Sequence, residues 1–183
     1  MNTVEPIRDM QVVLDIADYL KEKNQRNYVM FMFGIYSGLR ICDILQFRVR
    51  DVRGKDFISM REKKTNKEKR FPINKELKEI LNKYIADKRD YEFLFKNPNL
   101  PNSPITRQQA YNILSTAGKA FGLDSIGTHT LRKTFGYHLY KQTNDAALVM
   151  NILNHSDISI TLRYIGVNQD RKDKAYNSLS FKR

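Results

Sequence analysis

One interruption in an otherwise helical pattern fixes most of what this chain can fold into. Apolar residues recur at three- and four-residue spacing over residues 5–47 and again over 74–179, the period of helices with one buried face. Only over residues 56–61 and 69–73 does the spacing shorten to that of strands, around a polar segment at 62–68, which reads as a β-hairpin. The expected fold class is therefore mainly α with a small antiparallel β-sheet, α+β. Helices are expected over 5–23, 27–36, 40–47, 74–88, 106–121, 128–142 and 145–153, then a short one after His155 capped by Ser156 or Asp157, and a polar one over 169–179. Asn74 suits the cap of the fourth of these, and residues 97–104 form a loop rich in proline and asparagine.

At 183 residues, with no internal repeat and no long linker, the sequence reads as a single domain over residues 1–183. Thirty-two Lys and Arg face 20 Asp and Glu, a net charge of +12. That surplus favours a polyanionic partner, nucleic acid before an anionic membrane surface. A single cysteine, Cys42, excludes an intramolecular disulfide framework and a Cys-rich zinc site, and its apolar setting suits a small core residue. No His, Cys or carboxylate group shows ligand spacing, so neither a metal nor another cofactor is expected. No apolar run approaches the roughly 20 residues that span a bilayer. Residues 1–9 lack the apolar stretch of a signal peptide. A cytoplasmic, nucleoid-associated protein is the expectation.

Against this background six residues stand in local settings that suit phosphodiester chemistry. Arg40 follows the Gly38 turn at a helix start, where free N–H groups and the helix dipole favour an anion. Asp43, one turn on, can clamp its guanidinium. Lys64 lies at the hairpin tip, free to swing towards a phosphate and protonate a leaving oxygen. His129 and Arg132 sit at i,i+3 and project from one helix face, with Thr128 as the expected cap. Leu131, Phe135 and Leu139 form the apolar stripe that anchors that helix. Arginine offers a planar fork that takes two phosphate oxygens at once, and two of them can hold both non-bridging oxygens of one phosphodiester. His155 falls at a helix–helix turn, and Tyr164, at the end of the next helix, can hang over a cleft. Taken singly, each is an ordinary surface charge, capped helix residue or packed tyrosine.

Taken in order, the segments at 38–45, 64–67, 129–132 and 153–164 resemble the catalytic domain of the tyrosine recombinase (phage integrase) family, over nearly the whole chain. The resemblance implies that fold, and metal-independent DNA strand cleavage and rejoining through a 3′-phosphotyrosyl link. Tyr164 would be the nucleophile. Arg40 and Arg132 would stabilise charge on the phosphorane-like transition state, and Lys64 would protonate the leaving 5′-oxygen. His129 would assist deprotonation of the tyrosine, His155 would bond a non-bridging oxygen, and Asp43 would buttress the site. The implied partners are double-stranded DNA and further recombinase protomers, a tetramer in synapsis and a monomer when free, with no membrane. Residues 167–183 would then be a tail exchanged with a neighbouring protomer, and the expectation is a catalytic domain without the family's usual N-terminal core-binding domain. Lys67, Lys69 and Arg107 are candidate backbone-phosphate contacts. Two alternatives stand beside this: DNA relaxation of the type IB topoisomerase kind, with the same chemistry, and a non-catalytic DNA-binding regulator that keeps the fold, which would have no need of Tyr164.

Overall fold

The computed structural model describes residues 4–63 and 66–180, so the expected role of Lys64 falls outside the described residues. The chain is mostly helical around one two-stranded antiparallel sheet. α1 (Met10–Lys23) and α2 (Gln25–Ser37) pack against each other, followed by the single turn α3 (Ile41–Ile44) and the hairpin β1 (Phe57–Arg61) and β2 (Glu68–Pro72). Then come α4 (Lys75–Ile85), α5 (Arg107–Ala120), α6 (Thr130–Thr143), α7 (Ala146–Ile152), α8 (Ile158–Tyr164) and α9 (Val167–Ser178). Capping explains most boundaries. Asn74, Thr106, Asp145 and Asp157 each accept from a backbone N–H of the helix that follows.

The helix expected over 40–47 is only the single turn α3, and that expected over 74–88 ends at Ile85; two further differences have identifiable physical reasons. The first helix begins at Met10, not at residue 5, because Asp9 accepts from Gln11 N at 2.8 Å. The preceding segment takes its hydrogen bonds from α6 instead: Ile7 N donates to Thr134 Oγ1 at 2.9 Å, and Ile7 O lies 2.9 Å from His138 Nε2. Thr128 does not cap α6. His129 occupies that position without a side-chain cap, and Thr130 Oγ1 accepts from Gly127 N at 3.0 Å.

The apolar interior falls into two clusters, and α6 runs through both. The larger joins α1, α2, α4, α5 and the hairpin, with Phe31, Phe33, Ile58, Leu77 and Phe95 fully buried, and it receives Leu131 from the start of α6. The smaller joins Tyr137 and Tyr140 of α6 to Val149, Leu153, Ile165 and Val167. Glycines permit the close approaches. Gly38 ends α2 at φ +60°, and a Cβ there would lie 2.3 Å from Phe135 Cδ1. A Cβ on Gly136 would lie 2.8 Å from Ile165 Cγ2. The N-terminal half of α6 is thus seated on the large cluster and its C-terminal half on the small one.

Candidate active site

The clamp is built around Arg132. This side chain is only 1% exposed, and its Nη1 donates to Gly38 O at 2.8 Å while Nη2 donates to Leu153 O. Both acceptors are carbonyls at helix C-termini, where the dipole favours a cation. They tie the end of α2 and the end of α7 to one guanidinium. Arg40 enters from the N-cap of α3. Between the two arginines lies Glu62, itself 0% exposed, with Oε2 2.9 Å from Arg40 Nη1 and Oε1 3.8 Å from Arg132 Nη1. The Arg40 contact is a close ion pair out of line for a hydrogen bond, since Nη1 donates none. Asn154, in the left-handed region at φ 53°, adds Nδ2 to Glu62 Oε2 at 3.2 Å. Two forks therefore bracket one buried two-oxygen anion.

Asp43 does something other than clamp Arg40. It is 1% exposed, and its Oδ1 accepts from Lys63 N at 3.0 Å, fastening the hairpin turn to α3. No hydrogen bond or ion pair joins it to Arg40 among the described residues. The partner of Arg40 is Glu62, which the sequence reading placed in the polar turn. Its signal was present in the alternation: Ile58, Met60 and Glu62 share one face of β1 and its continuation.

Tyr164 lies at the C-terminal end of α8, half-buried. Its hydroxyl is 3.4 Å from His129 Nδ1, a long contact of the kind that tightens when a substrate is present. The His155 ring meets the Tyr164 ring edge-on at 4.9 Å, and the Lys133 ammonium lies 5.1 Å from the centroid of the Tyr164 ring. Burial raises the tyrosine pKa above its ordinary value, opposed by Arg132 and Arg40. Both histidines are pushed down. Burial, then Arg132 and Arg40, takes His155 to about 4. Burial and then Arg107, at the start of α5, lower His129. Thr161 Oγ1 donates to Asp157 O at 3.0 Å, so the 3.1 Å contact to His155 Nδ1 has the imidazole as donor, leaving Nε2 unprotonated in the neutral ring.

Arg40, His129, Arg132, His155 and Tyr164 are thus brought together, joined by Glu62, Asn154 and Lys133, which sequence reasoning passed over. Lys67 is exposed on the hairpin, while Lys69 points inward. Among the described residues, no cluster of His, Cys, Asp or Glu is arranged to hold a metal ion, and no helix is long and apolar enough to cross a membrane.

Comparison with known proteins places the sequence and the fold in one family. The sequence matches the phage integrase family over residues 8–171. It is 48% identical over 176 residues to a probable integrase/recombinase, YoeC, of Bacillus subtilis, covering 96% of this chain and 97% of that protein. It is 28% identical to the tyrosine recombinase XerD of Staphylococcus haemolyticus, covering 93% of this chain but 60% of XerD. The fold matches a crystal structure of XerA recombinase at a TM-score of 0.74 and 18% identity, over 97% of this chain and 67% of that one. It matches XerH site-specific recombinase, bound to a palindromic difH substrate after cleavage, at a TM-score of 0.70 and 19% identity, over 97% and 54%. The fold is that of a tyrosine recombinase catalytic domain. The chain belongs to the phage integrase family.

Proposed function

We propose that this chain is a site-specific DNA recombinase that cuts and rejoins strands through Tyr164. The phenol oxygen attacks phosphorus as the bond to the 5′-oxygen breaks, leaving a 3′-phosphotyrosyl link and a free 5′-hydroxyl. The phenolic proton passes to His129, whose neutral form suits it as acceptor. The leaving oxygen takes a proton from Lys64. Arg40 and Arg132 carry the charge that builds on the non-bridging oxygens, in a site where few water dipoles compete. The covalent ester keeps the free energy of the broken linkage, so a second strand's 5′-hydroxyl can reverse the step without a cofactor. His155, protonated at Nε2 as the phosphodiester binds, donates from there to a non-bridging oxygen. Asp43 acts on the site through the hairpin turn.

One observation carries this reading. Two arginines bracket a buried anion at a point where a tyrosine hydroxyl and two imidazoles meet. A binding module has no use for the tyrosine, and nothing in the pocket favours relaxation over recombination. Double-stranded DNA is the substrate, with Arg107 and Lys67 as outlying phosphate contacts. Several protomers act together, and Tyr176 and Leu179, 80% and 66% exposed at the end of α9, mark the segment available for exchange. The test is covalent trapping on nicked suicide duplexes pooled over randomised sequence. The wild-type chain forms a protein–DNA adduct, and Tyr164→Phe forms none while still retarding DNA. An adduct with the phenylalanine variant removes Tyr164 as nucleophile.

A further inference from the structure

The hairpin puts a charge where its own pattern calls for an apolar side chain. β1 and β2 pair with Ile58 opposite Phe71 and Met60 opposite Lys69. The inward residues are Ile58 and Met60 on β1, then Lys69 and Phe71 on β2, while their neighbours face solvent. Glu62 continues the same inner face into the arginine pocket. Lys69 therefore projects along the face that ends at the bracketed carboxylate. Its ammonium is shut off from solvent, donates no hydrogen bond, and forms no ion pair with any described carboxylate. Its ammonium lies 5.7 Å from the ring centroid of Phe71.

A buried, unpartnered ammonium is costly, because it loses hydration and gains no acceptor. Four charged groups face it: Arg132 from α6, Arg40 and Asp43 from α3, and Glu62 from the hairpin. Burial first, then Arg132, lowers its pKa to about 8, with Glu62 and Asp43 opposing. A lysine serving only to pack the hairpin would be better replaced by methionine or leucine. A lysine serving only as a surface phosphate contact would reach outward, as Lys67 does.

We propose that Lys69 is a further phosphate-contacting residue of the cleavage pocket, a third fixed cation that finds its missing acceptor when the scissile phosphodiester binds between Arg40 and Arg132. This rests on the reading of that pocket as the phosphodiester site. Lys69 is anchored in the β-ladder, so its charge is in place before substrate arrives, and preorganised charge of this kind acts without reorganisation during the reaction.

The test uses the whole chain, with Lys69→Met and Lys69→Arg, in two measurements. The first is the single-turnover rate of adduct formation on the pooled nicked duplexes. The second is thermal unfolding without DNA and with inorganic sulfate as the probe anion. Loss of one preorganised cation slows adduct formation on the order of 100-fold in Lys69→Met, and Lys69→Arg recovers part of it. The methionine variant melts at or above the wild-type temperature, because a strained charge has gone, and sulfate raises its melting temperature less. Adduct formation by Lys69→Met at the wild-type rate overturns the proposal. So does a fall in melting temperature shared by both variants, which marks a structural role. Absence of any adduct from the wild-type chain overturns instead the reading of the pocket itself.

Discussion

Replacing Glu62 by glutamine keeps the shape of the side chain and its bond to Asn154 but removes the charge that balances two arginines. Removing one partner of a buried ion pair costs about 3–5 kcal/mol. Arg40 retains 15% of its side-chain exposure and the Arg132 contact is 3.8 Å long, so we take the low end, about 3 kcal/mol. For a domain of this length 1 kcal/mol moves the melting temperature by roughly 2–4 °C, giving a drop of roughly 6–12 °C. The guanidiniums left behind form a stronger anion site than in the wild type, where Glu62 already sits between them. Sulfate at a hundred times its dissociation constant returns about 2.7 kcal/mol. The two proteins should therefore melt far apart in low salt and close together in sulfate, followed by circular dichroism with chloride as the ionic-strength control. A variant as stable as wild type without sulfate, or a gap that sulfate and chloride close equally, refutes the view that Glu62 neutralises the clamp.

Three further outcomes follow from other parts of the site. Gly136→Ala places a methyl 2.8 Å from Ile165 Cγ2 and 3.1 Å from Leu153 Cδ1. Overpacking of this kind costs about 1–3 kcal/mol, so adduct formation should slow and urea unfolding should shift to lower denaturant; unchanged values on both count against the close packing of α6 on the small cluster. His155 has a folded pKa of about 4, below its ordinary 6.5. The unfolded chain then binds the extra proton first, so stability is full above the unfolded pKa and is lost as pH falls from 6.5 towards 4. Because the ring is only half-buried the loss is on the order of 1–2 kcal/mol, and His155→Gln should flatten that limb of the unfolding profile. A phosphodiester beside His155 raises its pKa, so DNA binding near pH 6 should take up protons, seen by calorimetry in two buffers of different ionisation enthalpy. Equal heats in both would count against a charged His155 in the complex.

The helices and the hairpin were legible because each rests on local signals: apolar period, Asx and Thr caps, and strand alternation. The grouping of Arg40, His129, Arg132, His155 and Tyr164 was legible for a different reason, since their types and order resemble a known pattern. What local reasoning missed are interactions formed only in three dimensions. Thr128 looked like a cap, yet the turn before α6 uses Thr130. Asp43 looked like the partner of Arg40 because i,i+3 pairs meet on a helix, but α3 is a single turn and the carboxylate points to the hairpin. Residues 5–9 carry helical spacing, and their backbone is claimed instead by Thr134 and His138 across the core. Glu62 was visible in the period of the strands, but a charge on an inward position is easily assigned to the turn when its partners come from three other elements; Lys69 was placed in the second strand and read as a backbone-phosphate contact, without its inward direction.

The division of the interior into two apolar clusters bears on how such a site can work. Arg40 and the hairpin stand on the large cluster, whereas Leu153 and Ile165, which flank His155 and Tyr164, belong to the small one. The two arginines' anion pocket and Tyr164, the proposed nucleophile, are thus carried by different packed units. Among the described residues, hydrogen-bond links between them at the site include Arg132, bonded at once to Gly38 O and Leu153 O; Glu62, bonded to Asn154; and the 3.4 Å contact from His129 to Tyr164. Two of the three engage the groups that a phosphodiester would engage. On the proposed reading, a phosphate that competes with Glu62 for the arginines would loosen the bond from Glu62 to Asn154 while adding its own contact to His155, coupling occupancy of the clamp to the placement of Tyr164 through the same few atoms. The small cluster is where such an adjustment costs least, because it buries few side chains and meets α6 across a glycine.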